Sequence, residues 1–215
     1  MNERTRVKIC GVRRALDVRA AVDAGADAIG LVFHPASPRH VSLPEAVALA
    51  RELPPFVTPV GLFVNATATE VAAAIEAIPA LLLQFHGDEP EPFCARFGRP
   101  YLKAARMASG FDLLDFARQF SSAQALLLDA HVEAYGGGGK VFDWSLVPVA
   151  VPRPVVLSGG LHAANVMEGV RRVRPWAVDV SSGVESTRGV KDAAEIRRFC
   201  EAVREADALI AATEA

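Results

Sequence analysis

Cys10 is the first residue in the chain with chemistry to offer. It closes the short run Arg6-Val-Lys-Ile-Cys, stands two residues after Lys8 and directly precedes Gly11. A thiol in that place is either a small core side chain or a nucleophile or base held at the mouth of a site. Other polar groups gather at the ends of similar runs: His34, Arg39 and His40 in FHPASPRHVS, Asn65 after VGLFV, Gln84 and His86 in QFHGDE, and Asp129 in LLLDA. Two further runs end in glycine, Ser158, Gly159 and Gly160 in one, and Asp179 followed by Ser181, Ser182 and Gly183 in the other. A thiol and a carboxylate can exchange protons with a substrate. Arginine matches a carboxylate with two parallel hydrogen bonds. Glycines let backbone N–H groups approach phosphate oxygens closely.

These residues need a frame that brings them to one place. β-like runs occur at 6–10, 28–33, 58–64, 80–85, 101–105, 125–130, 154–159 and 177–183, with amphipathic stretches between them. Arg13–Ala24, Leu43–Leu53, Thr67–Ile78 and Asp192–Ile210 read as helices. Pro44 suits a first helical turn, and Thr67 with Glu70 makes a capping box. The weakest helix is the sixth, a short piece near Phe142–Val147. Eight strand candidates, each followed by a helix candidate, predict a (β/α)8 barrel that takes in residues 1–215 as one domain. The strands are mostly continuous apolar runs, as parallel strands covered by helices should be. A doubly wound open sheet also alternates strand and helix, but no GxGxxG follows the first strand here.

A barrel keeps its chemistry at the C-terminal ends of its strands, where the polar residues fall. Side chains alternate along a strand, so Cys10 shares a face with Lys8, Asp129 with Leu127, and Asp179 with Ser181. If Cys10 faces the mouth, Lys8 lies one layer deeper inside the barrel and needs a partner. Closure makes strands one and eight neighbours, so Asp179 is the expected partner. The glycine-rich ends on strands seven and eight predict a phosphate site between Ser158–Gly160 and Ser181–Gly183.

Composition excludes several classes. The 215 residues are about half hydrophobic and carry a net charge of −2, with no basic stripe, so nucleic acid and anionic membrane are poor partners. Three scattered cysteines, Cys10, Cys94 and Cys200, form no disulfide framework and no metal pattern; Cys94 and Cys200 read as packing. A charged start (MNERTR) and the lack of a long apolar run predict a cytoplasmic protein. The run YGGGGK is not a phosphate-binding P-loop, because Ala134 and Val141 occupy positions that need glycine and a hydroxyl residue. Gly136–Gly139 read instead as a mobile loop over the site, with Lys140 near an anionic ligand.

Taken together, KICG (8–11), GADAIGLVFHPASPRHVS (25–42), VGLFVN (60–65), LLQFHGDE (82–89), LLLDA (126–130), GGGGKVFDW (136–144), VLSGGL (156–161) and AVDVSSGVE (177–185) resemble the N-(5′-phosphoribosyl)anthranilate isomerase family of tryptophan biosynthesis. The resemblance spans nearly the whole chain; Phe85 stands where the family usually has leucine. It implies an Amadori rearrangement of a phosphorylated N-aryl ribosylamine to an open-chain aminoketone, with no metal or redox cofactor. It implies Cys10 as general base and Asp129 as general acid. Cationic neighbours are expected to lower the thiol's pKa toward working pH, and Gly11 to keep a side chain clear of the substrate. Arg39 is assigned to the anthranilate carboxylate; His86 either lines the site with the substrate or satisfies a strand-end hydrogen bond, while His34 and His40 read as loop residues. The partner is a phosphorylated small molecule; the oligomeric state stays open, with a monomer favoured. The rivals are the ring-opening isomerase of the histidine pathway, which resembles this chain but has an aspartate at the first strand end, and a non-catalytic barrel that senses a phosphorylated ligand.

Overall fold

Eight parallel strands close on themselves in chain order in the computed structural model, which describes residues 4–130 and 141–214. Gly136–Gly139 and Lys140, read from the sequence as a loop over the site, lie outside the described residues. The strands are β1 (Arg6–Cys10), β2 (Ala28–Val32), β3 (Thr58–Phe63), β4 (Leu82–Phe85), β5 (Tyr101–Met107), β6 (Ala125–Ala130), β7 (Val155–Leu157) and β8 (Ala177–Val180). β1 pairs with both β2 and β8, which makes the sheet a barrel. The expected fold is therefore present, with shifted strand ends. The run at 154–159 stops pairing at Leu157 because Gly159 and Gly160 take positive φ angles, +79° and +64°, that no strand contains. β5 runs two residues longer than its apolar run, to Met107.

Helices cover the outside: α1 (Ala15–Asp23), α2 (Leu43–Arg51), α3 (Ala68–Ala77), α4 (Glu91–Ala95), α5 (Leu113–Gln119), α6 (Val166–Val173) and α7 (Ala193–Glu214). Capping boxes start two of them, Ser42 with Glu45 for α2 and Thr67 with Glu70 for α3. The weak sixth helix is a single 3₁₀ turn, Trp144–Leu146, in which the Ser145 N–H donates to the Asp143 carboxylate at 2.9 Å. None of the described helices is long and apolar enough to cross a membrane. Cys94 and Cys200 are buried on α4 and α7, as packing residues should be.

Alternation divides the apolar residues into two shells. Ile9, Leu31, Leu83, Phe85, Leu126 and Leu157 pack between sheet and helices. Phe85 belongs there because its ring meets Phe63, Phe93, Phe97 and Tyr101. Inside the barrel, Val60, Leu102, Ala104, Ala125, Leu127, Val156 and Ala177 fill the floor, and Cys10, Val32 and Leu62 make a smaller cluster nearer the mouth.

Lys8 and Asp179 lie opposite each other in the β1–β8 register, and Nζ approaches Oδ1 to 2.7 Å with both side chains buried. The expected ion pair is therefore in place beneath Cys10. Gly30 makes room for it: a Cβ there would stand 2.8 Å from the Cys10 sulfur and 3.1 Å from Lys8 Nζ. Burial opposes the charge on Lys8, but Asp179 and Cys10 together more than restore it, and the lysine pKa rises. Asp179→Ala should leave that ammonium uncompensated and cost about 3–5 kcal/mol of stability, read as a fall in the denaturant midpoint. Lys8→Met combined with Asp179→Leu should recover most of the loss, since a well-packed apolar pair replaces a buried charge pair at little cost.

Candidate active site

Cys10 ends β1 on the interior face and is 4% exposed. Burial pushes its thiol pKa up from the ordinary value, and this outweighs the downward pull of Lys8 and, more weakly, of Lys191. The expectation of a lowered pKa is thus reversed: the lysine beneath the thiol is already neutralised by Asp179, while the loss of water is not compensated.

Gly11 follows with φ +75°, and a Cβ there would meet the Cδ and Cβ atoms of Arg39. The space kept clear by this glycine is filled by the arginine stem, which corrects the idea that it spares the substrate directly. The Gly11 and Val12 N–H groups both donate to the Gly30 carbonyl, which turns the chain away from the mouth.

Arg39 is buried and held edge-on by Glu185: Nε donates to Oε1 at 2.6 Å and Nη2 to Oε2 at 2.8 Å. Glu185 also accepts from Lys191 Nζ at 2.8 Å and from the Gly189 N–H at 3.1 Å. Burial alone would raise this carboxyl, but Arg39 and Lys191 hold it down to about 2. Lys191 reaches in from β10 (Val190–Lys191), paired with β9 (Glu185–Thr187), and also donates to the Ser181 carbonyl at 2.9 Å. His34 and His40 lie between β2 and α2, as loop residues.

Asp129 stands across the barrel near the end of β6, 7% exposed and on the same interior face as Leu127. Its Oδ2 lies 3.0 Å from His86 Nε2, and its Oδ1 accepts the Ala130 N–H at 2.9 Å. His86 follows β4 and is buried; its Nδ1 lies 3.1 Å from Gln84 Nε2.

Between β6 and β1 lie the two glycine-rich ends. Gly159 sits against β6, where a Cβ would press on the Ala130 nitrogen, and Gly183 sits where a Cβ would run into the Leu161 carbonyl. Gly183 therefore serves the packing of one loop against the other. The Ser158 hydroxyl donates to Asp179 Oδ2 at 3.3 Å and the Ser181 hydroxyl to the Cys10 carbonyl at 3.1 Å. Both serines thus spend a hydroxyl on the scaffold. Ser182 opens a 3₁₀ turn, Ser182–Val184, beside them. Asn165 braces the strand-seven loop by donating to the Gly160 carbonyl at 3.0 Å.

The structure thus brings Cys10, Arg39, Ser158–Gly160 and Ser181–Gly183 together around β7, β8 and β1, with Asp129 and His86 flanking them. Glu185, Lys191 and Arg106 were not singled out as site residues, and Gln84 was seen at its strand end without a role. Arg106 is the register partner of Asp129 and continues the inward series of Leu102 and Ala104, with Nη2 3.1 Å from Asp88 Oδ1. Alternation would have found it had β5 been read past residue 105.

A sequence profile described as N-(5′phosphoribosyl)anthranilate (PRA) isomerase matches residues 7–202. The N-(5′-phosphoribosyl)anthranilate isomerase of Methylibium petroleiphilum is 72% identical over 211 residues, which cover 98% of this chain and 99% of that protein. The crystal structure of phosphoribosyl anthranilate isomerase from Thermotoga maritima is similar with a TM-score of 0.86 at 38% identity, across 94% of this chain and 99% of the other. A phosphoribosyl anthranilate isomerase solved in complex with reduced 1-(o-carboxyphenylamino)-1-deoxyribulose 5-phosphate is similar with a TM-score of 0.80 at 36% identity, with 94% and 99% covered.

Proposed function

Because the chain belongs to the N-(5′-phosphoribosyl)anthranilate isomerase family, we propose that Cys10 is the base and Asp129 the acid of its reaction. The enzyme is an isomerase of tryptophan biosynthesis that converts N-(5-phospho-β-D-ribosyl)anthranilate to 1-(2-carboxyphenylamino)-1-deoxyribulose 5-phosphate. One observation carries the assignment of roles. In the barrel order, β6 and β1 flank β7 and β8, so the carboxyl and the thiol stand on either side of the two glycine-rich ends. A sugar tethered there by its phosphate presents its ring oxygen and its C2′ to groups on both sides.

Asp129 gives a proton to the ring oxygen, the C1′–O bond breaks, and the nitrogen lone pair forms an iminium ion. Cys10 then takes the C2′ proton, the electrons flow to the iminium nitrogen, and the resulting enolamine tautomerises to the aminoketone. Arg39 suits the anthranilate carboxylate, because Glu185 occupies its Nε–Nη2 edge and leaves the end-on edge for a second carboxylate.

Two measurements probe this reading, both by loss of the substrate's fluorescence. Inorganic phosphate should inhibit competitively, raising KM with kcat unchanged; a purely noncompetitive pattern counts against phosphate recognition at the mouth. The pH profile of kcat/KM reports groups of the free enzyme. A base must be deprotonated to act, and burial raises the Cys10 pKa. Activity should therefore keep climbing above about pH 8.5, the ordinary thiol value. A limb that flattens below neutrality would contradict Cys10 as the base.

A further inference from the structure

We propose that Gln84 and His86 are positioning residues for the acid: together they fix the acid proton on Oδ1 of Asp129 and stabilise the carboxylate left behind. The inference rests on the reading of Asp129 as the acid. Gln84 and His86 stand two apart on β4 and its end, so both face the barrel interior. Gln84 is fully buried beneath the mouth, and its Nε2 reaches His86 Nδ1 at 3.1 Å. His86 Nε2 in turn reaches Asp129 Oδ2 at 3.0 Å.

An amide nitrogen has only hydrogens to give. With Gln84 Nε2 donating, His86 Nδ1 is the acceptor, and the proton of the neutral ring sits on Nε2. That N–H donates to Oδ2 and leaves the carboxyl proton to Oδ1, whose remaining lone pair still accepts the Ala130 N–H at 2.9 Å. Oδ1 is also the oxygen beside Gly159, where a Cβ would stand only 2.9 Å away. The missing side chain thus leaves Oδ1 open toward the strand-seven loop, the side on which the phosphorylated sugar is proposed to bind. When the proton leaves, negative charge grows on the carboxyl group while the His86 N–H already points at Oδ2, a donor that needs no reorganisation.

The reversed amide would do the opposite. Gln84 Oε1 would then accept from Nδ1–H, Nε2 would become an acceptor, and the acid proton would be drawn onto Oδ2, away from the loop. Gln84 Oε1 has no partner among the described residues, and reversal would merely orphan Nε2 in its place. The tautomer of His86 is therefore the observable that separates the two arrangements.

In the enzyme with 15N-labelled histidine, long-range 15N–1H correlation spectra of the neutral ring should show His86 protonated on Nε2. Protonation on Nδ1 overturns the proposal. Gln84→Glu presents an acceptor to Nδ1; it should move the ring proton there and lower kcat by about 10-fold or more, with KM changed far less. Should that variant fail to fold, the His86 pair carries the test. His86→Ala should lower kcat by about 10–10²-fold with little change in KM, and His86→Gln, which keeps an N–H to offer, should restore part of it. A rise in KM at unchanged kcat would make His86 a substrate-binding residue and refute the positioning role. Asp129→Asn separates the two levels: if it is inactive while His86→Ala turns over normally, the inference alone fails. If Asp129→Asn is fully active, the assignment of the acid fails first.

Discussion

Cys10→Ala should lower kcat by at least about 10²-fold, the low end of what general acid–base groups contribute, and leave the fold unchanged. The substitution removes one sulfur atom from a small interior cluster with Val32 and Leu62. It leaves the Lys8–Asp179 pair and the N–H groups of Gly11 and Val12 in their places. No described side chain stands ready to replace the thiol on β1, since Lys8 is one layer lower and committed to Asp179. Turnover by substrate fluorescence, together with a far-UV spectrum, checks both halves of the expectation. Near wild-type turnover in a folded variant would remove Cys10 from the mechanism.

Asp129→Asn should be as severe, about 10²–10⁴-fold in kcat, for a different reason. The amide has nearly the shape of the carboxyl group, and its one oxygen can accept from the Ala130 N–H or from His86, but not from both. What disappears is an acidic proton. Binding of the reduced product analogue should change little, because that molecule asks for no proton transfer. A large loss of affinity without loss of kcat would make Asp129 a binding residue instead.

Much of this was legible in the sequence, and the reasons are physical. Continuous apolar runs with helical patterns between them specify a parallel barrel. Barrel closure plus strict alternation is enough to pair Lys8 with Asp179. The same logic set Cys10 and Asp129 on interior faces, though only the family resemblance gave them roles. The pairing of Arg39 with Glu185 was not legible, because it joins a loop after β2 to a short hairpin after β8, and no periodicity links the two. Gly11 and Gly183 carry the same limit. A sequence shows that a side chain is missing, but not that an arginine stem or a carbonyl oxygen fills the space. The direction of the Cys10 pKa shift was missed because a nearby lysine is visible in sequence, whereas the degree of burial and the prior claim of Asp179 on that lysine are not.

The most direct test of the account is a crystal structure of this protein with the reduced product analogue bound. The account predicts the phosphate between the Ser158–Gly160 and Ser181–Gly183 loops, with the Cys10 sulfur against C2′. It also predicts an Asp129 carboxyl oxygen within about 3.2 Å of the hydroxyl that was the ring oxygen, the reach of a hydrogen bond. A complex with the phosphate at those loops but C2′ turned away from Cys10, or the former ring oxygen out of reach of Asp129, would contradict it.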